Sequence, residues 1–369
     1  MPVYFLTASS GNFTVPSDCR KFDYIDCIAG GGGGAAGMYA AYQNGGGGQG
    51  GGFSRRVNVA VTPGSVLPYS VGMGGAAVAS GNPGYVYAGN AGGNTWFWDG
   101  SICWALGGAG GRNDGASHPS NAGGTGDLKY SGGSGGPVSG DAMYAGTGGG
   151  GAGGPNGPGN PGQMGTNSTK GTYGGSGDNG YGGAAGAGVA GGTAGNGSHG
   201  QEYGTNVGSG GGGGGSGGLT GVATAGAAGA WGGGGGGAFI QASGAYAAYA
   251  AAGYQGLIIV SYTPYVPKPP TVLTLSKNTG GSSGGQSITL NGTNFVTVPV
   301  TAVKFGAVNA TSFTVVSDTQ INCVTPPQPP GTVVTVTATN ADGTSGPGPS
   351  NSFTYLPPAI GVNFAMMGM

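Results

Sequence analysis

Side chains able to do chemistry are scarce in this sequence. Histidine occurs at His118 and His199 alone, and glutamate at Glu202 alone. General acid–base catalysis draws mainly on those two residue types. Both histidines sit in Ser/Asn/Gly-rich stretches and read as exposed loop residues, and no Ser/His/Asp arrangement can be drawn from the spacing. The cysteines are Cys19, Cys27, Cys103 and Cys323, with no CxxC pair, so zinc ligation is not expected. Free buried thiols are the expectation, and the even number leaves a disulfide open. Glycoside hydrolysis needs paired carboxylates, which one glutamate and scattered aspartates do not supply. The reading is a non-enzymatic protein with no catalytic residues, no metal and no cofactor.

Glycine patterns carry little chemistry here. GxGxxG matches arise by chance at this glycine density, and none opens a strand-to-helix unit as a dinucleotide site requires. Residues 174–179 are similar to a calcium-binding β-helix repeat but lack its last aspartate and do not recur. Aromatic residues are the remaining handle. Tyr39, Tyr42, Tyr144, Tyr173, Tyr181, Tyr203, Trp231, Tyr246 and Tyr249 lie close to glycine-rich stretches. Rigid aromatics among Ser, Gly and Asn match the make-up of a binding surface, so these nine are the candidate receptor-binding residues. The competing reading is that they cap glycine-rich backbone against water. Trp96, Trp98 and Trp104 are instead expected in a strand core.

The elements that must position these residues follow from composition. Of 369 residues 96 are glycine, and the 10 basic and 11 acidic residues leave a net charge of -1. That balance lacks the basic surplus of a nucleic-acid binder and the net charge of a solvated disordered tail. No stretch of about 18 apolar residues suggests membrane insertion. No secretory signal is visible before Val3, so folding in a cytoplasm is expected. Glycine is concentrated in residues 1–265, and the boundary falls at the proline-rich segment 264–270. Four regions result: a glycine-rich domain over 1–265, a stiff linker at 266–269, a second domain over 270–356 and an apolar tail over 357–369.

In the first domain, strand-like runs bracket the glycine. They fall at about 3–72, 95–106 and 256–263, with a hairpin turning at Asp99–Gly100 and the most apolar run at Leu257–Tyr262. Between about 107 and 255 the chain has almost no strand or helix pattern. Runs of glycine recur there and earlier: 30–34, 45–48, 148–151, 210–215 and 232–237. No strict Gly-X-Y period makes this collagen. Disorder is one reading, since glycine loses the most entropy on folding. The other is a lattice of polyglycine helices of the polyproline-II type, bonded to one another rather than within themselves. The fold class expected is all-β: a β-sandwich base carrying that lattice, then an immunoglobulin-like sandwich, with essentially no α-helix.

Two resemblances add to this reading. Gly11–Pro16, the strand running into Ile28–Gly34, Val59–Gly64 and Gly256–Val260 together resemble, over residues 9–264, the glycine-rich domain of bacteriophage tail fibres and adhesins. That resemblance implies a virion protein whose inter-helix loops contact a host cell-surface molecule, a glycan or an outer-membrane protein. Thr271–Leu273, Gly284–Phe295, Val303–Gly306, Thr319–Pro327, Val333–Asn340 and Phe353–Tyr355 resemble, over 270–356, an IPT/TIG domain, an immunoglobulin-like sandwich. The expected partners are other virion proteins and the host surface, with a homo-oligomer left open. A head fibre or capsid decoration, and a bacterial glycine-rich surface protein, are the alternatives. In the tail, Phe364, Met366 and Met367 are the candidates for anchoring to the virion, since methionine-rich surfaces adapt to partners.

Overall fold

The computed structural model describes residues 1–38, 45–80, 88–112, 123–137, 146–164, 171–190, 192–218, 222–240, 247–348 and 350–358. The chain divides into two compact units, Met1–Tyr265 and Val266–Met369. Both are built of strands and extended chain. Among the described residues the one helical turn is a 3-10 turn at Asp178–Gly180.

The first unit stands on a sandwich of two five-stranded sheets. One orders Val3–Leu6, Leu257–Ser261, Lys21–Ile28, Phe53–Ala60 and Leu128–Tyr130, antiparallel throughout. The other orders Gly124–Thr125, Cys103–Ala105, Thr95–Phe97, Val66–Ser70 and Ser10–Thr14. Period-two alternation sends Ile25 and Cys27 of the first sheet, with Ile258 and Val260, towards the second, and Phe22 near the strand's start joins the same core out of that parity. Phe13, Phe22 and Phe97 meet at the centre, each ring edge-on to the other two at 5.9 Å. The hairpin turns where expected, with Gly100 at φ +78°. Its tryptophans are not among the fully buried core residues, though Trp98 packs against the core's edge. Phe97, Cys103 and Ala105 take the inward positions, and the alternation leaves Trp96, Trp98 and Trp104 half-buried. All four cysteines are buried free thiols.

Above the sandwich the glycine runs form a lattice whose bonding has period three. Along residues 30–35, the N–H groups of Gly30 and Gly33 donate to Gly93 and Asn90. Those of Gly31 and Gly34 donate to Tyr254 and Ala251, and those of Gly32 and Ala35 to Gln49 and Gly46. Carbonyls repeat the pattern: Gly30 and Gly33 accept from Gly108 and Gly111, Gly32 and Ala35 from Gly235 and Ala238, and Gly31 from Gly75. One extended rod thus bonds to six others. Residues 210–216 likewise bond to six rods, one of them shared with residues 30–35: the rod whose Trp231, Gly234 and Gly237 carbonyls accept from Gly210, Gly213 and Ser216. Three residues per turn and bonds only between neighbours define the polyglycine II arrangement.

The spacing explains the composition. A Cβ added to Gly32 would lie 1.9 Å from the carbonyl oxygen of Ala109, and one added to Gly212 2.0 Å from that of Gly149. Residues 29–37, 45–54, 146–154, 208–218 and 232–239 are buried at every position. Rods at the periphery relax the demand every third residue. In Ser131–Pro137 the four glycines are buried, while Ser131, Ser134 and Pro137 reach the surface. Thr147 inserts its hydroxyl into the bonding network, accepting from the Gly47 N–H at 2.9 Å and donating to the Gly136 carbonyl at 2.6 Å. The lattice therefore begins earlier than the expected residue 107: residues 29–38 and 45–52, expected in the strand base, belong to it, as do 72–80 and 88–94. At the end remote from the sandwich the rods become two small four-stranded sheets enclosing Ala36, Ala223, Ala225, Ala238, Ala248 and Ala251.

The second unit is a sandwich with an ordinary side-chain core. One sheet orders Thr271–Leu275, Ser287–Thr293, Gln320–Val324 and Ser312–Ser317. The other contains Thr279–Gly281, Ser352–Leu356, Val333–Asn340, Ala302–Phe305 and Val308–Asn309, with Gly343–Thr344 paired beside it. Between them lie Leu290, Phe295, Phe305, Ile321, Val336, Phe353 and Tyr355, with Phe353 edge-on to Phe305 at 5.5 Å. Asn340 Nδ2 donates to the Lys268 carbonyl at 3.0 Å, and Asn294 Nδ2 to that of Pro269 at 3.1 Å, so the end of the expected linker is held by this unit.

Two substitutions test the lattice by denaturation. Gly212→Ala is expected to cost about 3 kcal/mol or more, from overpacking and lost backbone bonds. Ser134→Ala, on an outward position, is expected to stay within about 0.5 kcal/mol. Equal effects of the two would contradict the period-three packing.

Candidate functional site

Of the nine aromatic residues singled out from the sequence, Tyr39, Tyr42, Tyr144 and Tyr246 lie outside the described residues, as do Phe364, Met366 and Met367. The other five are positioned by the rods and by the turns joining them on the sandwich side. Tyr173 occupies an outward position of a peripheral rod, between Thr172 and the buried pair Gly174–Gly175, and is 52% exposed. Tyr249 ends the short strand Ala248–Tyr249 at the remote end and is 44% exposed. Tyr181 follows the 3-10 turn on the sandwich side and is 71% exposed. These three offer free ring surface.

Trp231 and Tyr203 are committed differently. The Trp231 ring is edge-on to Tyr254 at 5.6 Å, its Nε1–H donates to the Asn206 carbonyl at 3.3 Å, and it packs on a cluster of Ile28, Phe53, Leu257 and Ile259. It covers the outer face of the first sheet, the capping role rather than the binding one. Tyr203 belongs to the same cover. Its hydroxyl donates at 2.6 Å to Oδ2 of Asp26.

Asp26 is the centre of the strongest polar assembly in the unit. It is fully buried on the strand Lys21–Ile28, directly across from Arg55 in the register. Arg55 grips it in a fork, Nε to Oδ1 at 2.6 Å and Nη2 to Oδ2 at 2.7 Å. The guanidinium lies over the rings of Tyr24 at 4.8 Å and Phe53 at 5.9 Å. Burial pushes the Asp26 carboxyl above its ordinary range against the pull of Arg55, and Asp26 raises Arg55 in turn. Burial, with Asp26 beside it, raises the Tyr203 phenol well above its usual value, so it stays a donor. This triad ties the turn 201–207 to the sheet. Tyr203 is thus an anchor whose hydroxyl is not available to a receptor. Composition gave no sign of the triad. The signal was positional: a charged residue inside the apolar stretch Tyr24–Ile28, and an arginine pair at the start of the next long strand.

The neighbouring Glu202 accepts from the Ser209 N–H at 3.0 Å, and its Oε2 is buried without a hydrogen-bond partner. Burial raises its pKa above the usual carboxylate range. A carboxyl raised in the folded state stabilises below its unfolded pKa, and the contribution is lost as pH rises through the folded value. Among the described residues, no group of three or more His, Cys, Asp or Glu is placed to hold a metal ion.

Two outcomes are expected. Tyr203→Phe should cost about 1.5–3 kcal/mol, because it removes a donor from a buried carboxylate, read as a lower denaturation midpoint. The unfolding free energy of the natural chain relative to Glu202→Gln should decline as pH rises from about 4 to about 7. A difference that does not change with pH would contradict the raised carboxyl.

Comparison with known families places two domains in order. A glycine-rich domain model matches residues 7–263, and an IPT/TIG domain model matches residues 270–355. A search of curated proteins gave no match. The first match spans the sandwich and its lattice and covers most of the chain, and the second spans the immunoglobulin-like unit. The chain therefore belongs to the glycine-rich domain family, with an IPT/TIG domain following.

Proposed function

We propose that the chain is a non-enzymatic bacteriophage virion protein, a tail-fibre or tail-tip adhesin that displays loops to a host cell-surface molecule. The observation that carries the reading is the lattice itself. Among the described residues its interior is backbone bonded to backbone, so the rods make a stiff frame between the connectors. A rigid frame of that kind lowers the entropic cost of binding for whatever it carries. The connectors at 39–44, 81–87, 138–145 and 241–246 are rich in Tyr, Ala, Ser, Gly and Asn, the composition of adaptable contact surfaces. Tyr173 and Tyr249 add exposed rings on the described part of the unit.

In this reading the receptor contacts come from Tyr39, Tyr42, Tyr144, Tyr246 and Tyr249. The immunoglobulin-like unit serves as spacer or virion attachment, and the apolar residues Phe364, Met366 and Met367 dock to a partner in the particle. Purified protein is expected to bind intact host cells saturably and to block phage adsorption, with Tyr246→Ala and Tyr249→Ala each weakening binding about tenfold, roughly 1.4 kcal/mol. Absence of cell binding by a protein that is nonetheless present in purified virions would overturn the adhesin reading in favour of a head fibre or capsid decoration. Deleting residues 357–369 should leave a folded chain that no longer enters particles. Normal incorporation would sink the anchoring role.

A further inference from the structure

On the sandwich side of the lattice, three turns follow one another across the outer face of the first sheet: Gly154–Gly157, Asp178–Tyr181 and Gln201–Val207. Between them and the sheet lies an open cleft of about 450 Å³, within the size range of small-molecule sites. Tyr24 and Arg55 of the sheet line it, with Asn156, Tyr181, Gln201 and Glu202 of the turns. In a unit made almost wholly of glycine and small residues, this concentration of long polar and aromatic side chains stands apart.

The groups are held in place. Buried Asp178 accepts the Asn156 N–H at 2.7 Å, its Nδ2–H at 2.6 Å and the Gly157 N–H at 2.9 Å. That fixes the Asn156 amide and leaves its Oδ1 without a partner among the described residues. Arg55 is clamped by Asp26 and keeps 25% of its side-chain surface exposed. Glu202 also lines the cleft, with its Oε2 buried against Gly200 and Gly208. Tyr181 presents a mostly free ring at the rim.

We propose that this cleft binds a neutral saccharide, a site separate from the connectors of the receptor-binding reading. A sugar ring has an apolar C–H face and a rim of hydroxyls that both donate and accept. The Tyr181 ring fits the face, and the Asn156 and Gln201 amides offer donors and acceptors to the rim. Charge selects against other ligands. The single guanidinium is neutralised by Asp26, while Asp178 and Glu202 remain, so phosphorylated, sulfated or sialylated ligands meet an unfavourable field. A wholly apolar ligand would leave the fixed polar groups unpaired.

The test uses the full chain against an array of neutral oligosaccharides of glucose, galactose, mannose and N-acetylglucosamine, with sialylated and sulfated counterparts, followed by calorimetric titration of the best binder. Binding of a neutral oligosaccharide is expected, weakened about tenfold or more by Tyr181→Ala and by Gln201→Ala, with thermal midpoints unchanged and with Ser134→Ala behaving as the natural chain. Loss of saccharide binding in Tyr181→Ala while cell adsorption persists would separate the cleft from the receptor surface and support the proposal. No neutral oligosaccharide bound, a preference for the acidic counterparts, or unchanged affinity in both variants would overturn it.

Discussion

Everything in the first unit depends on how closely two backbones can approach when neither carries a side chain. At that separation the N–H and C=O groups of one rod meet those of its neighbours directly, and the interior needs no apolar side chains to exclude water. A single methyl group in the middle of the lattice would collide with a carbonyl oxygen at about half a normal contact distance. The glycine content and the confinement of side chains to outward positions and connectors follow from that one constraint.

Such a lattice cannot begin or end by itself, because its terminal N–H and C=O groups need partners. The sandwich provides them at one end: Ala29 donates to Gly52 as the strands Lys21–Ile28 and Phe53–Ala60 part, and Gly52 to Leu106. Alanines packed between two small sheets close the other. The Asp26–Arg55–Tyr203 triad then joins a turn of the lattice to the sheet by charge, beside the apolar packing of Tyr203, Val207 and Trp231 on the same face. The IPT/TIG unit solves the same problem of stability conventionally, with aromatic and aliphatic side chains between two sheets.

Much of this was legible in the residues. The boundary near 266, the strands bracketing the glycine and the immunoglobulin-like pattern are all local signals, and the five longest glycine runs proved to be rods buried along their whole length. The extent of the lattice was harder to read. Residues 29–38, 45–52, 72–80 and 88–94 lie among strands in the chain, and only the bonds to residues far along the sequence reveal their membership. Peripheral rods do carry a readable mark, two glycines and one other residue in repeat, as in Ser131–Pro137. The tryptophans of the hairpin misled because size suggests burial, whereas strand parity gave the inward positions to Phe97 and Cys103. The cleft residues come from turns and strands separated by more than a hundred positions, and nothing in their spacing joins them.

The order in which the rods are joined has a kinetic consequence. Residues 30–35 have partners as far along the chain as residues 251 and 254, and among the described residues the strand Val3–Leu6 pairs with Leu257–Ser261. A fragment that stops short of residue 251 closes only part of the bonds of this rod. Assembly must wait for some 260 residues to be present and must then satisfy contacts of very high sequence separation, a topology associated with slow, strongly cooperative folding. Once closed, each inner rod is held on every side, so opening one requires loosening its neighbours together. The unit should persist by a high barrier to unfolding rather than by a large equilibrium margin.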